Sequence, residues 1–213
     1  MKADKAIKAG HTACRRNDYK TALKIWRPLA MQGNAKAQFL IGFLYSGGKG
    51  VKKDYAEAMN WFRKAADQRY IDAQKWMAYM YETGFCGKRN YAEAVKWYRK
   101  AAAQGDTESQ RMLSVMYSTG RGGLKKDHAA AAKWLRKAAK RGDINSQWHL
   151  AQSYRKGRGV KLDLVKAYFW LSLATAKDDD GGARELRSVT RKMTPAQIAK
   201  VQRGKGAKKV PSP

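Results

Sequence analysis

Acidic residues are scarce in this chain. Its 213 residues carry 17 Asp and Glu against 45 Lys and Arg, a formal net charge of +28. A surplus of that size governs long-range association and puts anionic partners first. Only two cysteines occur, Cys14 and Cys86, in different parts of the chain and without metal-ligand spacing. They imply neither a zinc cluster nor a disulfide framework and read as small packing residues. His11, His128 and His149 are scattered, and no serine or cysteine stands where a helical scaffold would hand it a partnered base. No apolar run is long enough to span a bilayer, and the residues after Met1 (Lys2-Ala3-Asp4-Lys5) lack the apolar core of a signal peptide. The chain therefore reads as soluble; a mature form, its export signal replaced by a methionine, fits the same residues. The one acidic cluster, Asp178-Asp179-Asp180, could suggest a divalent cation site. It sits at a turn before Gly181-Gly182, where aspartates cap the following helix. No metal, cofactor or small-molecule substrate is expected, and the chain reads as non-enzymatic.

What is abundant is repetition. Asp54-Tyr55-Ala56-Glu57-Ala58 leads to Trp61-Phe62-Arg63-Lys64-Ala65-Ala66, and Asn90-Tyr91-Ala92-Glu93-Ala94 leads to Trp97-Tyr98-Arg99-Lys100-Ala101-Ala102. Asp127 opens a third copy, with Trp134-Leu135-Arg136-Lys137-Ala138-Ala139 at the same offsets. Starts at Asp18, Asp54, Asn90, Asp127 and Asp163 differ by 36, 36, 37 and 36 residues, a period that means stacked supersecondary units. Such an array buries its core between neighbouring repeats.

Within one copy, Tyr55, Ala58, Trp61, Phe62, Ala65 and Ala66 recur at three- and four-residue steps along one helix stripe, with Asp54 as N-cap. A second stripe, Ala73, Met77, Met80 and Tyr81, follows a turn near Gln68-Arg69. Each repeat is thus a helix pair. Gly33, Gly105 and Gly142 are expected to end first helices, and Gly48, Gly84, Gly120 and Gly157 second helices. Gly48-Lys49-Gly50 and Gly120-Arg121-Gly122-Gly123 are turns, since no strand precedes them and no Gly-Lys-Ser/Thr follows.

The run Gly48-Lys49-Gly50-Val51, Asp54-Tyr55-Ala56-Glu57-Ala58 and Trp61-Phe62-Arg63-Lys64-Ala65-Ala66 closely resembles the Sel-one-like repeat (SLR), a relative of the tetratricopeptide repeat. The resemblance implies an all-α, right-handed α-solenoid of helix-turn-helix repeats. We divide the chain into an N-terminal capping helix (1–17), five repeats (18–53, 54–89, 90–126, 127–162, 163–190), a C-terminal capping helix (191–202) and a flexible basic tail (203–213). Thr194-Pro195-Ala196-Gln197 reads as a capping box launching a helix that ends at Val201 or Gln202. The opening Asn17-Asp18-Tyr19, followed by Trp26-Arg27-Pro28-Leu29-Ala30, resembles the first repeat of bacterial relatives, many of them exported, which implies a periplasmic or other envelope location. Some relatives bridge each helix pair with cysteines; this chain lacks that pattern. The family implies scaffolding, not catalysis.

Stacking in register turns sequence columns into surface rows. One row lies in the loops before each new repeat: Lys52 and Lys53, Lys88 and Arg89, Lys125 and Lys126, then Lys161, thickened by Lys49, Arg121 and Arg158. A second lies on the solvent side of the first helices: Lys24 and Arg27, Arg63, Lys96 and Arg99, then Lys133 and Arg136, expected to line a concave face. Arg-Lys before Ala-Ala belongs to the repeat itself, whereas nothing about a turn requires paired cations before an N-cap, so the loop row points more strongly to function. Tyr45, Tyr81, Tyr117 and Tyr154 form a further column read as packing against the next repeat. The expected function is an adaptor for an acidic protein partner, with an immunity protein that neutralises a toxin as a special case. The alternative is an anionic polymer or membrane surface, of which nucleic acid is the weakest version.

Overall fold

A computed structural model describes residues 2–85, 87–176 and 181–204. Those residues form twelve α-helices and no strand: α1 Lys2–Arg15, α2 Tyr19–Met31, α3 Ala35–Gly47, α4 Tyr55–Asp67, α5 Ile71–Thr83, α6 Tyr91–Ala103, α7 Thr107–Thr119, α8 His128–Lys140, α9 Ile144–Lys156, α10 Leu164–Ala174, α11 Gly181–Thr190 and α12 Pro195–Gly204. This is a helical repeat in which adjacent helices pack pairwise. Two compact units are present, Met1–Gln104 and Gly105–Pro213. The expectations for Cys86, Asp178-Asp179-Asp180 and residues 205–213 lie outside the described residues.

Local chemistry sets the helix ends. The side chains of Asp18, Asp54, Asn90, Asp127 and Asp163 accept backbone N–H bonds from the first turns of α2, α4, α6, α8 and α10. Asn34, Asp106 and Asp143 do the same for α3, α7 and α9, which end, like α5, on left-handed glycine. One connection departs from the pattern. Where Gly33, Gly105 and Gly142 follow their helices at positive φ, Arg69 takes the left-handed conformation itself (φ 66), and Tyr70 beside it makes no side-chain cap bond. A side chain in that conformation costs about 1 kcal/mol.

In unit 1, Trp26, Ile41, Phe62 and Met77 are fully buried among Ala22, Ala37, Ala58, Ala65, Ala73 and Ala101. Large faces small: a Cβ on Gly42 would lie 2.7 Å from the Phe62 ring. In unit 2, Leu113, Met116, Leu150, Leu171 and Val189 take the large role against Ala138, Ala139 and Ala167. Buried glutamines stitch the helices. Gln38, Gln74 and Gln147 donate Nε2 bonds to the carbonyls of Ala30, Ala66 and Ala139 at helix ends (3.0, 3.0 and 3.1 Å), adding to the backbone N–H that each of these carbonyls accepts. In unit 1 the Oε1 atoms of Gln38 and Gln74 accept in turn from Gln68 and Gln104, at 2.7 and 2.9 Å.

The loops after second helices are tied down. The N-cap residues Asp54, Asn90, Asp127 and Asp163 donate their backbone N–H to the carbonyls of Tyr45, Tyr81, Tyr117 and Tyr154, at 3.0, 2.8, 2.9 and 3.1 Å. In unit 2, Gly159 (φ 69) lies so close to the start of α8 that a Cβ there would stand 1.9 Å from the His128 carbonyl oxygen. At the C-terminal end, Thr194 and Gln197 close the expected capping box reciprocally, at 2.9 and 3.3 Å. Helix α12 continues to Gly204, so Arg203 and Gly204, read from sequence as the start of a flexible tail, form its last turn. It packs on α10, with Val201 in the same core cluster as Leu164, Trp170 and Leu171 and Ile198 against that cluster.

Candidate interaction surfaces

The loop cations of unit 1, Lys52, Lys53, Lys88 and Arg89, are all exposed. Lys53 lies over the Tyr55 ring at 4.7 Å and Lys49 over Tyr19 at 5.1 Å, so their stems follow the surface while their charge faces solvent. In unit 2, Lys125, Lys126 and Lys161 are likewise exposed, and Leu162 takes the place of a second cation after Lys161. The loops hold these charges outward because each loop's exit is pinned to a tyrosine carbonyl.

First-helix cations are engaged within the fold to a larger degree than their spacing suggested. Arg63 donates to the Tyr81 hydroxyl at 2.7 Å, and Arg136, half-buried, to the Tyr154 hydroxyl at 2.8 Å. Lys64, Lys100 and Lys137 lie over Trp61, Trp97 and Trp134 at 4.4, 3.9 and 4.4 Å. The Arg-Lys pair of the repeat thus has a structural use: the arginine ties a first helix to the tyrosine of the next helix, and the lysine covers an indole. Lys96 pairs with Glu93, one turn away on α6. Lys24, Arg27, Arg99 and Lys133 are exposed. The tyrosine column therefore receives first-helix arginines as well as packing neighbours such as Lys166, which lies over Tyr154 at 5.7 Å.

The second helices carry what the sequence reading passed over. In unit 1, Phe39 and Phe43 of α3, Trp76 and Tyr79 of α5, and Phe85 beyond it form a chain of ring contacts. Phe43 meets Trp76 edge-on at 5.0 Å, Trp76 meets Tyr79 at 5.4 Å, and Tyr79 meets Phe85 at 5.7 Å. Phe43, Tyr79 and Phe85 are 40, 41 and 42% exposed, and Tyr79 and Phe85 line, with Phe62, Trp76 and Met80, a small pocket of about 170 Å³. Trp76 anchors this cluster by stacking on buried Phe62.

In unit 2 a groove of about 680 Å³ is lined by the second helices α7, α9 and α11 together with His128 and Leu135 of the first helix α8. Of the first-helix cations, Lys133 and Arg136 border a separate hollow of about 410 Å³ on α8. Among the site residues expected from sequence, the groove brings in Lys126, but not Lys125, Lys133, Arg136 or Lys161. Its walls include Val115, Trp148 and His149, and Glu185 of α11 accepts from Trp148 Nε1 at 3.2 Å and Gln152 Nε2 at 3.3 Å. Burial holds the His149 imidazole below its ordinary pKa; the charge of Arg111 adds to this and Asp143 opposes it. Elsewhere, burial raises the Cys14 thiol, with Lys49 opposing. Among the described residues no group of three or more His, Cys, Asp or Glu could hold a metal ion, and no helix is long and apolar enough to cross a membrane.

The Sel1 repeat model matches residues 35–70, 71–106, 107–143 and 144–179 without a gap. The chain belongs to the Sel1 repeat family. The Sel1 phase starts on α3, α5, α7 and α9, half a repeat from the phase read from the aspartate starts, with the same helices. A protective antigen of uropathogenic Escherichia coli strains displaying an SLR fold is similar at 34% identity and TM-score 0.79; the match covers 85% of this chain and 39% of that one. A Sel1 repeat protein from Oxalobacter formigenes is similar at 32% identity and TM-score 0.75, covering 82% of this chain and 73% of that one. The immunity protein Pa5087 of Pseudomonas aeruginosa, at 21% identity and TM-score 0.45, is too distant to carry functional weight. No curated protein matches. Sel1 repeats are generally protein-interaction scaffolds, and the family is typically non-catalytic.

Proposed function

We propose that this Sel1 repeat chain is a non-enzymatic adaptor that holds an acidic protein, using the aromatic and grooved faces of its second helices for contact and the loop cations (Lys52, Lys53, Lys88, Arg89, Lys125, Lys126, Lys161) for attraction. Lys24, Arg27, Lys96, Arg99 and Lys133 add to the attraction from the first helices, whereas Arg63 and Arg136 serve mainly to brace the fold. The observation that carries this reading is the exposed ring cluster of Phe43, Tyr79 and Phe85. A polyanion needs only charge, whereas contiguous exposed aromatic surface beside cations suits a protein partner with an apolar centre and an acidic rim. The resemblance of the first repeat to exported relatives supports placing this partner in the bacterial envelope.

Affinity capture from native envelope extract tests the reading, with wild type run beside Phe43→Ala/Tyr79→Ala and Lys52→Glu/Lys53→Glu. One stoichiometric acidic protein, lost with either pair, is expected. Retention of heterogeneous polyanions by all three forms, displaced alike by heparin, would assign binding to charge alone.

A further inference from the structure

The groove of unit 2 has an unusual electrostatic plan. Lys126, Arg155, Lys156 and Arg158 line it, together with His128 and His149, and among the described residues the one carboxylate on its walls is Glu185. That carboxylate is the acceptor for both the exposed indole N–H of Trp148 and the side-chain amide of Gln152. Gln152 also turns its Oε1 into a buried position where it makes no hydrogen bond. Donors on α9 therefore converge on a carboxylate, in a trough whose other charges are positive and whose apolar wall is Val115, Leu135 and the Trp148 ring. A volume of about 680 Å³ is in the range of ligand sites.

We propose that this groove binds an extended acidic peptide segment, with Glu185 occupying the carboxylate position in the free protein. The proposal rests on the adaptor reading and specifies where on unit 2 such a partner is held. The occupant follows from charge complementarity. A carboxylate of the segment takes the two donors now satisfied by Glu185, its neighbours meet Lys156 and Arg158 at the rim, and an apolar side chain lies against Trp148 and Val115. Glu185 repels such a ligand while it competes for the donors, so its removal strengthens binding. A site built instead for a cationic segment would need Glu185, and its removal would weaken binding. These opposite signs make Glu185 the deciding residue.

The test uses the full chain and a fluorescein-labelled peptide of glutamates flanking one phenylalanine, read by anisotropy at moderate salt, with the all-glutamine peptide as control. Binding of the acidic peptide alone is expected. Glu185→Ala should tighten it about threefold, and Glu185→Gln, which keeps the acceptor and removes the charge, should move it the same way by less. Lys156→Glu/Arg158→Glu should weaken it about tenfold, and Lys5→Glu/Lys8→Glu, exposed on α1 in unit 1, should leave it nearly unchanged. Circular dichroism checks that each variant is folded. Weaker binding on Glu185→Ala, or displacement of the peptide by citrate at equal carboxylate concentration, would overturn the proposal. So would loss with the unit 1 pair but not with the groove pair, although the adaptor reading would survive that result. No binding of the acidic peptide by wild type would reject the groove assignment, and the capture experiment would decide the adaptor reading separately.

Discussion

Position 43 of α3 and position 79 of α5 hold Phe and Tyr, whereas the equivalent positions 115 of α7 and 152 of α9 hold Val and Gln. The neighbouring column runs Phe39, Lys75, Arg111, Trp148. Core columns change far less: Ala37, Ala73, Ser109 and Ser146 stay small and almost fully buried throughout. Unit 1 and unit 2 therefore share one internal plan and differ on the second-helix face, which is aromatic in the first and cation-lined in the second. Residues that fill space between helices are constrained by packing; residues on that face answer only to what they touch outside.

Destabilising the shared plan should cost both units, and the two glycine environments set the largest contrast. Gly159→Val in unit 2 should lose about 3 kcal/mol, since its side chain would drive into the His128 carbonyl. Gly33→Ala in unit 1 has positive φ but nothing within 4 Å, and should lose only about 1 kcal/mol. Thermal melting reads both; equal losses would mean that the loop does not press on α8. Next in size is Gln74→Leu, expected to cost about 2 kcal/mol because two buried hydrogen bonds are lost, one at the Ala66 carbonyl and one at the Gln104 amide, each of which keeps a bond to the Arg69 backbone. A cost near zero in denaturant melts would show the glutamine ladder of unit 1 to be incidental. Arg69→Gly should work in the opposite direction and stabilise unit 1 by about 1 kcal/mol, giving its turn the residue used at the equivalent positions 33, 105 and 142.

The smallest effect is in pH. His11 is held below its ordinary pKa by burial first and then by Lys36 and Arg15, and His149 by burial and then Arg111, against Asp143. Depressed imidazoles favour the neutral form in the folded chain, so the unfolded chain takes up protons more readily below about 6.5. Their contribution is complete above that pH and is lost as pH falls through the folded-state values. Melting temperature should therefore drop on acidification below about 6.5, and His11→Asn with His149→Asn should flatten that drop.

Helix starts were legible from single residues because capping is local: Asp54 or Asp163 needs only the next turn to act. The family resemblance was carried by motif residues at fixed offsets, such as Asp54-Tyr55-Ala56-Glu57-Ala58 before Trp61-Phe62-Arg63-Lys64-Ala65-Ala66. The role of Arg63 and Arg136 was hidden because Tyr81 and Tyr154, their hydroxyl partners, lie 18 residues away on another helix. Arg69 gave no warning either, since only its backbone shows that it occupies a glycine's place. Which helix of each pair carries the exposed rings could not be read from periodicity, because both helices carry an apolar stripe. A signal was present in the columns: Phe43, Tyr79, Val115 and Gln152 change character at a position where a core residue would not, beside a tyrosine column that stays constant.

In the proposed function, contact is made by the second-helix face, with loop cations assisting. Hydroxyl-radical footprinting of the chain with and without its captured partner tests this most directly. Protection of Phe43, Tyr79 and Trp148, with Trp134 on α8 still reactive, is the predicted result. Protection of Trp134 with Phe43 and Tyr79 unchanged would contradict it.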